Sequence, residues 1–110
     1  MSEKLFGHPR FYELIEEWKR LHSNKNHDYA GDNDPLANFR ECARIGVDPF
    51  IGTFIRMQDK YMRIMNYINS GKLMVKGEGV KDTLRDLAIY SLIDIILYEE
   101  KENDKPTGSD

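Results

Sequence analysis

The chain has 110 residues, a formal net charge of −3, and 40% apolar and 32% charged residues. This length suits one domain with a modest core, and the high charged fraction favours a helical protein over a β-sandwich. The negative net charge argues against non-specific binding of duplex nucleic acid by the whole surface. Cys42 is the only cysteine, so an intrachain disulfide framework is excluded, and we expect a reducing compartment.

Membrane segments are not predicted. Residues Met1 to Lys4 are polar and contain no apolar signal region. The longest apolar stretch, Leu87 to Tyr98, is too short for a membrane span and contains Ser91 and Asp94. We therefore predict a cytoplasmic protein.

The first predicted helix begins near Pro9, because proline suits the first turn of a helix, where its missing N–H would have no partner anyway. Apolar residues then recur at steps of three and four: Phe11, Leu14, Ile15, Trp18 and Leu21. The segment from His22 to Asp34 is rich in Asn, Asp and Gly and has no period. It predicts a loop.

Two more helices have clear start and stop signals. Asp34-Pro35 predicts a helix start and Gly46 its end; Asp48-Pro49 predicts the next start and Gly71 its end after about Ser70. The longer of these two helices has an apolar stripe: Phe50, Phe54, Met57, Tyr61, Ile64 and Ile68.

The last predicted helix spans about Val80 to Glu100, after a connection from Gly71 to Gly79 that we interpret as a loop. No segment has the period of a strand. The sequence therefore predicts an all-α protein, a small four-helix bundle that allows one short extra helix. We expect a single helical domain over residues 1–102 and a disordered tail over 103–110, which contains Pro, Gly, Ser and charges.

The C-terminal half of the last helix is apolar nearly all round, which predicts burial on every side. Three companion helices in a short chain cannot easily surround a fourth. A homo-oligomer would cover the remaining surface, and the alternative is a central core helix.

The predicted helix from Pro49 to about Ser70 has one face that is mainly basic. Arg56, Asp59, Lys60 and Arg63 lie at relative positions 0, 3, 4 and 7, which share one side of a helix. One interpretation is a solvated face with internal ion pairs. The other is a phosphate clamp, because Arg offers a planar fork of donors and Lys a mobile charge.

Acidic pairs suggest a metal. Asp82 and Asp86 are four residues apart, so they share a helix face, where like charges repel unless a cation or basic side chains approach. Magnesium usually takes one or two carboxylates together with substrate oxygens. Asp82 and Asp86 are thus candidate Mg ligands, with Glu13 and Glu16 of the first helix as further candidates. A solvated face is the alternative for the two glutamates.

Polar residues in the predicted loop form a third candidate group: Lys25, Asn26, Asp28 and Tyr29. Amide, carboxylate and phenol groups recognise base edges or sugars, and Tyr29 offers a stacking surface. Turn chemistry explains the Asn and Asp equally well.

Three ordered motifs, "KNHDYAGD" followed by "NF", "RMQDKYMRI" and "DTLRDLAIYSL", resemble the nucleotide-modification-associated domain 1 family of small phage and bacterial proteins. The resemblance covers roughly Leu14 to Leu97 and implies a role in modified-nucleotide metabolism, in the host cytoplasm if the chain is phage-encoded. It points to three groups of residues: Lys25, Asp28 and Tyr29; Asp59, Lys60 and Arg63; and Asp82, Asp86 and Tyr90.

A looser similarity is to the all-α nucleoside triphosphate pyrophosphatases, which hold magnesium with two acidic pairs. Glu13 and Glu16 match the first pair, but Asp82 and Asp86 have a different spacing from the second. Three functions therefore remain: a nucleotide-binding protein that serves base modification or sequesters a host nucleotide messenger, a Mg-dependent nucleotide pyrophosphatase, and a helical protein-interaction module.

Overall fold

A computed structural model describes residues 4–29, 34–72 and 79–104, without the side chains of Asp28 and Tyr29. These residues form four α-helices, α1 (Pro9–Tyr29), α2 (Ala37–Arg40), α3 (Pro49–Ser70) and α4 (Val80–Asn103), and a 3-10 helix, Glu41–Ile45. The described residues contain no strand, so the prediction of an all-α protein is confirmed. No helix among them is long and apolar enough to cross a lipid bilayer.

The chain divides into two compact units, residues 1–35 and 36–110. The first contains α1, and the second contains α2, the 3-10 helix, α3 and α4. A single domain over residues 1–102 stays a prediction. The connection at 73–78 and the predicted disordered tail from residue 105 onward lie outside the described residues.

Helix α1 is longer than predicted, because it continues through the expected loop as far as Tyr29. The loop prediction for His22 to Tyr29 was therefore wrong. The Asn26 amide donates to the His22 backbone oxygen at 3.0 Å, one helical turn back. Polar residues lose only a few tenths of a kcal/mol each in helix propensity, so a helix begun by an apolar stripe can extend through them.

Helix α3 has the predicted bounds. Asp48 caps its N-terminus by accepting a hydrogen bond from the Phe50 backbone N–H at 2.9 Å, and Pro49 occupies the first turn. Gly71 ends it with a φ of 75°, in the left-handed region that glycine tolerates, and its N–H bonds to the Tyr67 carbonyl.

The shorter helical segment begins later than predicted. Residues Pro35 and Leu36 form a turn, and α2 starts only at Ala37 before tightening into the 3-10 helix. Gly46 ends that segment as predicted, with a φ of 86°. At the other end of the chain, α4 starts at Val80 as predicted and runs three residues beyond Glu100.

Helices α3 and α4 pack antiparallel. The start of α3 contacts the end of α4, since Asp48 Oδ2 lies 2.8 Å from Lys101 Nζ. Further along, Lys60 of α3 meets Asp86 near the start of α4. Thr53 and Thr83 are the most completely buried side chains. Small residues at these positions allow the two helix backbones to approach closely.

The core of the second unit is small. Its buried apolar residues are Leu36, Ile93 and Leu97, and around them pack Phe39, Phe50, Ile89 and Tyr90. The 3-10 helix lies against α3 at Gly52, where a Cβ atom would come within 2.6 Å of Cys42 Sγ.

Asp94 is buried in this unit and only 6% exposed, and its Oδ1 has no hydrogen-bond partner in the described part of the chain. Burial raises the pKa of the Asp94 carboxyl, and the nearby Asp48 charge raises it further. A hydrogen bond from Lys101, with a second from the Phe50 backbone, lowers the pKa of Asp48.

The contact at Gly52 can be tested by a double-mutant cycle. Gly52→Ala should cost about 1–3 kcal/mol through overpacking against Cys42, less a helix-propensity gain of up to about 1 kcal/mol. In a Cys42→Ala background the same change should be neutral or stabilising. Urea unfolding of the four variants measures this, and an equal effect of Gly52→Ala in both backgrounds would contradict the contact.

Asp94→Asn tests the buried carboxyl through pH. When a folded-state pKa is raised, stability is greatest below the unfolded-state pKa and falls as pH rises through the folded-state pKa. The unfolding free energy of Asp94→Asn should therefore improve relative to the parent chain as pH rises from about 3.5 to 7.

Asp48→Asn is a control for which the opposite pH dependence is expected, because the pKa of Asp48 is lowered. The stabilisation due to Asp48 is present above the unfolded-state pKa and is lost as pH falls through the folded-state value. Chemical denaturation at several pH values measures the unfolding free energy of both variants and of the parent chain. If the unfolding free energies of Asp94→Asn and the parent chain change in parallel with pH, a raised pKa for Asp94 is refuted.

Candidate functional site

The predicted basic face and the predicted acidic pair meet between α3 and α4. Lys60 Nζ lies 3.0 Å from Asp86 Oδ2. The two side chains are only 15% and 22% exposed, so this ion pair is shielded from most of the solvent. Partial burial strengthens the attraction between the two charges, but it also raises the free-energy cost of either charge without its partner.

Arg85 joins the same group. Its Nη1 lies 3.3 Å from Asp82 Oδ1, and its Nη2 lies 3.5 Å from Asp86 Oδ1. Lys60, Asp82, Arg85 and Asp86 thus form one ionic cluster with two cations and two carboxylates. The repulsion expected between Asp82 and Asp86 is offset by these two cations.

Two atoms in the ionic cluster differ in their hydrogen bonding. The Arg85 Nε is buried and has no hydrogen-bond acceptor in the described part of the chain. Asp82 Oδ2 accepts a hydrogen bond from the Gly79 backbone N–H at 3.4 Å, so it also helps to cap the start of α4.

Sequence reasoning missed Arg85 as a functional residue. A signal was present, because Arg85 follows Asp82 by three residues and precedes Asp86 directly. The first spacing allows an ion pair on a helix surface.

The remaining members of the predicted basic face have different surroundings. Arg56 donates to the Asn38 backbone oxygen at 3.0 Å, and its guanidinium lies 4.8 Å from the centre of the Phe39 ring. Arg56 therefore helps to hold α2 against α3. Asp59 is exposed, and Arg63 is half-buried one turn beyond Lys60.

The candidate Mg ligands on α1 are exposed and already paired with cations on the same helix. Arg10 Nη1 lies 3.3 Å from Glu13 Oε1 and 2.9 Å from Glu17 Oε1, and Lys19 Nζ lies 3.4 Å from Glu16 Oε1. These contacts agree with the solvated-face interpretation. Among the described residues, no three His, Cys, Asp or Glu side chains are arranged to hold a metal ion.

The third candidate group lies at the end of α1 rather than in a loop. Lys25 is exposed, and the Asn26 amide nitrogen lies 3.2 Å from His22 Nε2 as well as bonding to the His22 carbonyl. Asp28 and Tyr29 are helical, and their side chains are not among the described ones. The amide of Asn26 is thus engaged within its own helix.

No protein-family model matches the chain, and comparisons with curated proteins and with solved structures gave no match either. The family resemblance therefore stays a prediction based on its motifs.

The Lys60–Asp86 pair should contribute measurably to folding. Lys60→Met leaves the half-buried Asp86 carboxylate with Arg85 as its one remaining cation among the described residues. We therefore expect a loss of about 1–3 kcal/mol in unfolding free energy. Asp86→Asn should cost a similar amount. The double variant should lose less than the sum, with a coupling of roughly 1–2 kcal/mol.

Lys19 and Glu16 provide the matched control, since their side chains are 71% and 53% exposed. Their coupling should stay within about 0–1 kcal/mol, as for exposed pairs. Denaturant unfolding of both cycles decides the point. Equal couplings would mean that the Lys60–Asp86 pair behaves as an ordinary surface pair.

Proposed function

We propose that this chain binds a phosphorylated nucleotide, or a nucleotide-derived small molecule, at the ionic cluster. The proposal rests on one observation: Lys60 and Arg85, which lie on two different helices, both contact the carboxylate of Asp86. Two cations held side by side in a half-buried position are a suitable receptor for phosphate oxygens.

The aspartates orient the cations in this proposal. Asp86 holds the Lys60 ammonium, and Asp82 and Asp86 together hold the Arg85 guanidinium. Lys has three N–H donors and Arg five, so phosphate oxygens would bind donors that do not face the carboxylates. Arg63 supplies a further cation one turn along α3. The carboxylates would keep their cationic partners, so binding would need little rearrangement of the helices.

The motif resemblance supports the same location. Lys60 lies in "RMQDKYMRI", while Asp82, Arg85 and Asp86 lie in "DTLRDLAIYSL". Two of the three motifs therefore meet at the ionic cluster. The proposed setting is nucleotide modification, or sequestration of a host nucleotide messenger, in the cytoplasm.

Binding without hydrolysis is favoured over the pyrophosphatase alternative. Both carboxylates of the ionic cluster already have cationic partners, so a magnesium ion would have to displace Lys60 or Arg85. The first acidic pair of the pyrophosphatases is matched here by Glu13 and Glu16, which pair with Arg10 and Lys19.

Calorimetric titration with nucleoside mono-, di- and triphosphates and cyclic dinucleotides tests the proposal, each with magnesium and with chelator. We expect at least one ligand to bind in chelator. Arg63→Ala should then weaken that ligand by about 1.5–3 kcal/mol, the range for charged hydrogen bonds, or about 10- to 150-fold in Kd.

Arg44→Ala is the matched control, because Arg44 is exposed on the 3-10 helix and pairs with Glu41 at 3.0 Å. Its Kd should equal that of the parent chain. Equal losses for both variants, or no binding across the panel, would contradict the proposed site. Magnesium-dependent release of pyrophosphate that Asp82→Asn abolishes would establish the pyrophosphatase instead.

A further inference from the structure

Helices α3 and α4 expose many large apolar side chains, although their shared core contains few. One row lies on α3 at positions 51, 54, 58, 61, 65 and 68, with alternating steps of three and four; position 58 is a glutamine and the other five residues are apolar. In this row Ile51, Phe54, Tyr61 and Ile68 are 46%, 60%, 55% and 65% exposed. The spacing is that of a helix seam that packs against another helix.

A second row lies on α4 at positions 84, 88, 91, 95 and 98, with the same alternation. Leu84, Ile95 and Tyr98 are 49%, 55% and 44% exposed. The small residues Ala88 and Ser91 lie between them. Ser91 Oγ donates to the Leu87 carbonyl at 2.9 Å, so its hydroxyl already has an acceptor within α4.

Both rows lie on the same side of the α3–α4 pair. At about 100° per residue, each row is offset by roughly 110–130° from the face its helix buries, in the same rotational sense. Because the helices are antiparallel, equal offsets bring both rows to one side. The ring contact between Phe50 and Tyr98, 5.3 Å between centroids, lies on that side. We call the two rows together the apolar face.

The opposite side of the pair is covered by the short helical segment. Arg56 of α3 binds the Asn38 carbonyl there. Arg40 of α2 donates from Nη2 to Glu100 Oε1 at 3.0 Å. One side of the pair is thus closed by α2 through charged hydrogen bonds, and the apolar face remains exposed.

The size and composition of the apolar face fit an interface between identical subunits. The seven side chains whose exposure is given above are 44–65% exposed, and three of them are aromatic. This apolar surface is of the order of what each partner buries in a standard interface, about 800 Å². Neither row contains a charged residue. Although the chain has a net charge of −3, two copies that meet through these rows would bring no like charges together at the centre of the contact. A twofold axis brings the same surface patch of both subunits together, so an uncharged face meets itself without like-charge repulsion.

We propose that the apolar face is covered by the same face of a second copy of this chain. In the resulting twofold dimer, α3 and α4 of both copies form four packed helices. The ionic cluster involves Lys60, Asp82, Arg85 and Asp86, none of which belongs to either row. Dimerisation and ligand binding are therefore separable by mutation.

Sedimentation equilibrium of the full chain between about 1 and 100 µM tests this proposal. We expect a mass near twice the 12.9 kDa of the chain. Phe54→Glu and Ile95→Glu, one on each row, should each raise the dimer dissociation constant at least 100-fold. Ile45→Glu is the matched control, since Ile45 is 82% exposed on the 3-10 helix and should leave the dimer intact.

Thermal unfolding provides a readout that needs no variant. For a dimer, Tm rises with protein concentration, because association stabilises the folded state. A monomeric mass at all concentrations together with a constant Tm would overturn the proposal. A monomer that Phe54→Glu destabilises would mean that another segment of the same chain covers the apolar face. A dimer that withstands both face variants would place the interface elsewhere.

Discussion

The close antiparallel contact between α3 and α4 is the constraint on which the second unit depends. The residues buried most completely there are Thr53 and Thr83, and neither is large or fully apolar. Small side chains let the backbones approach, but they bury little apolar area. The larger apolar residues of both helices must therefore lie on the flanks, and this explains why the core is small and the apolar face extensive.

Ion pairs fix the register of this contact at two places. Asp48 pairs with Lys101 at one end, and Lys60 pairs with Asp86 further along α3. The two sites are twelve residues apart on α3, or about 18 Å of helix. A slip of one turn along either helix would separate both pairs. The charges thus supply specificity that the small buried residues cannot, and Asp48 also caps α3.

Between these two pairs lies a less favourable feature. Asp94 is buried, its Oδ1 lacks a hydrogen-bond partner in the described region, and Thr53 Oγ1 shares this condition. Unpaired polar oxygens weaken a contact, since each forfeits its hydrogen bonds with water. The pairing of α3 with α4 therefore combines ion pairs at two places with unpaired buried oxygens between them. Additional packing against the flanks would compensate for this, and the proposed dimer provides it.

Under the proposed function, the ionic cluster would serve both folding and binding. Lys60 and Arg85 neutralise two aspartates that would otherwise repel each other on one helix face. The same two cations are the groups that a phosphate would require. Arg56, although part of the same basic face in sequence, is committed to Asn38 and Phe39 and so belongs to the scaffold of the site.

The sequence alone determined the helical class, the bounds of α3 and the start of α4. These features follow from local chemistry: Asp48 and Pro49 satisfy or remove backbone donors at a helix start, and Gly71 adopts a left-handed conformation at its end. The sequence also placed Lys60 and the two aspartates on helix faces, because spacing alone fixes which residues share a side. The extent of α1 was not predictable from composition, since the weak preferences of Asn, His and Lys do not decide whether a helix stops.

Only the tertiary structure decided which charges meet. Spacing could not reveal that Lys60 faces Asp86 while Arg56 turns towards α2, because this depends on the rotation of two helices about their axes. It also could not reveal that Arg85 bridges both aspartates, or that one row of exposed apolar residues on α3 and one on α4 lie on a shared side. Those facts depend on the antiparallel register, which is set by contacts between residues far apart in sequence and not by the preferences of any one segment.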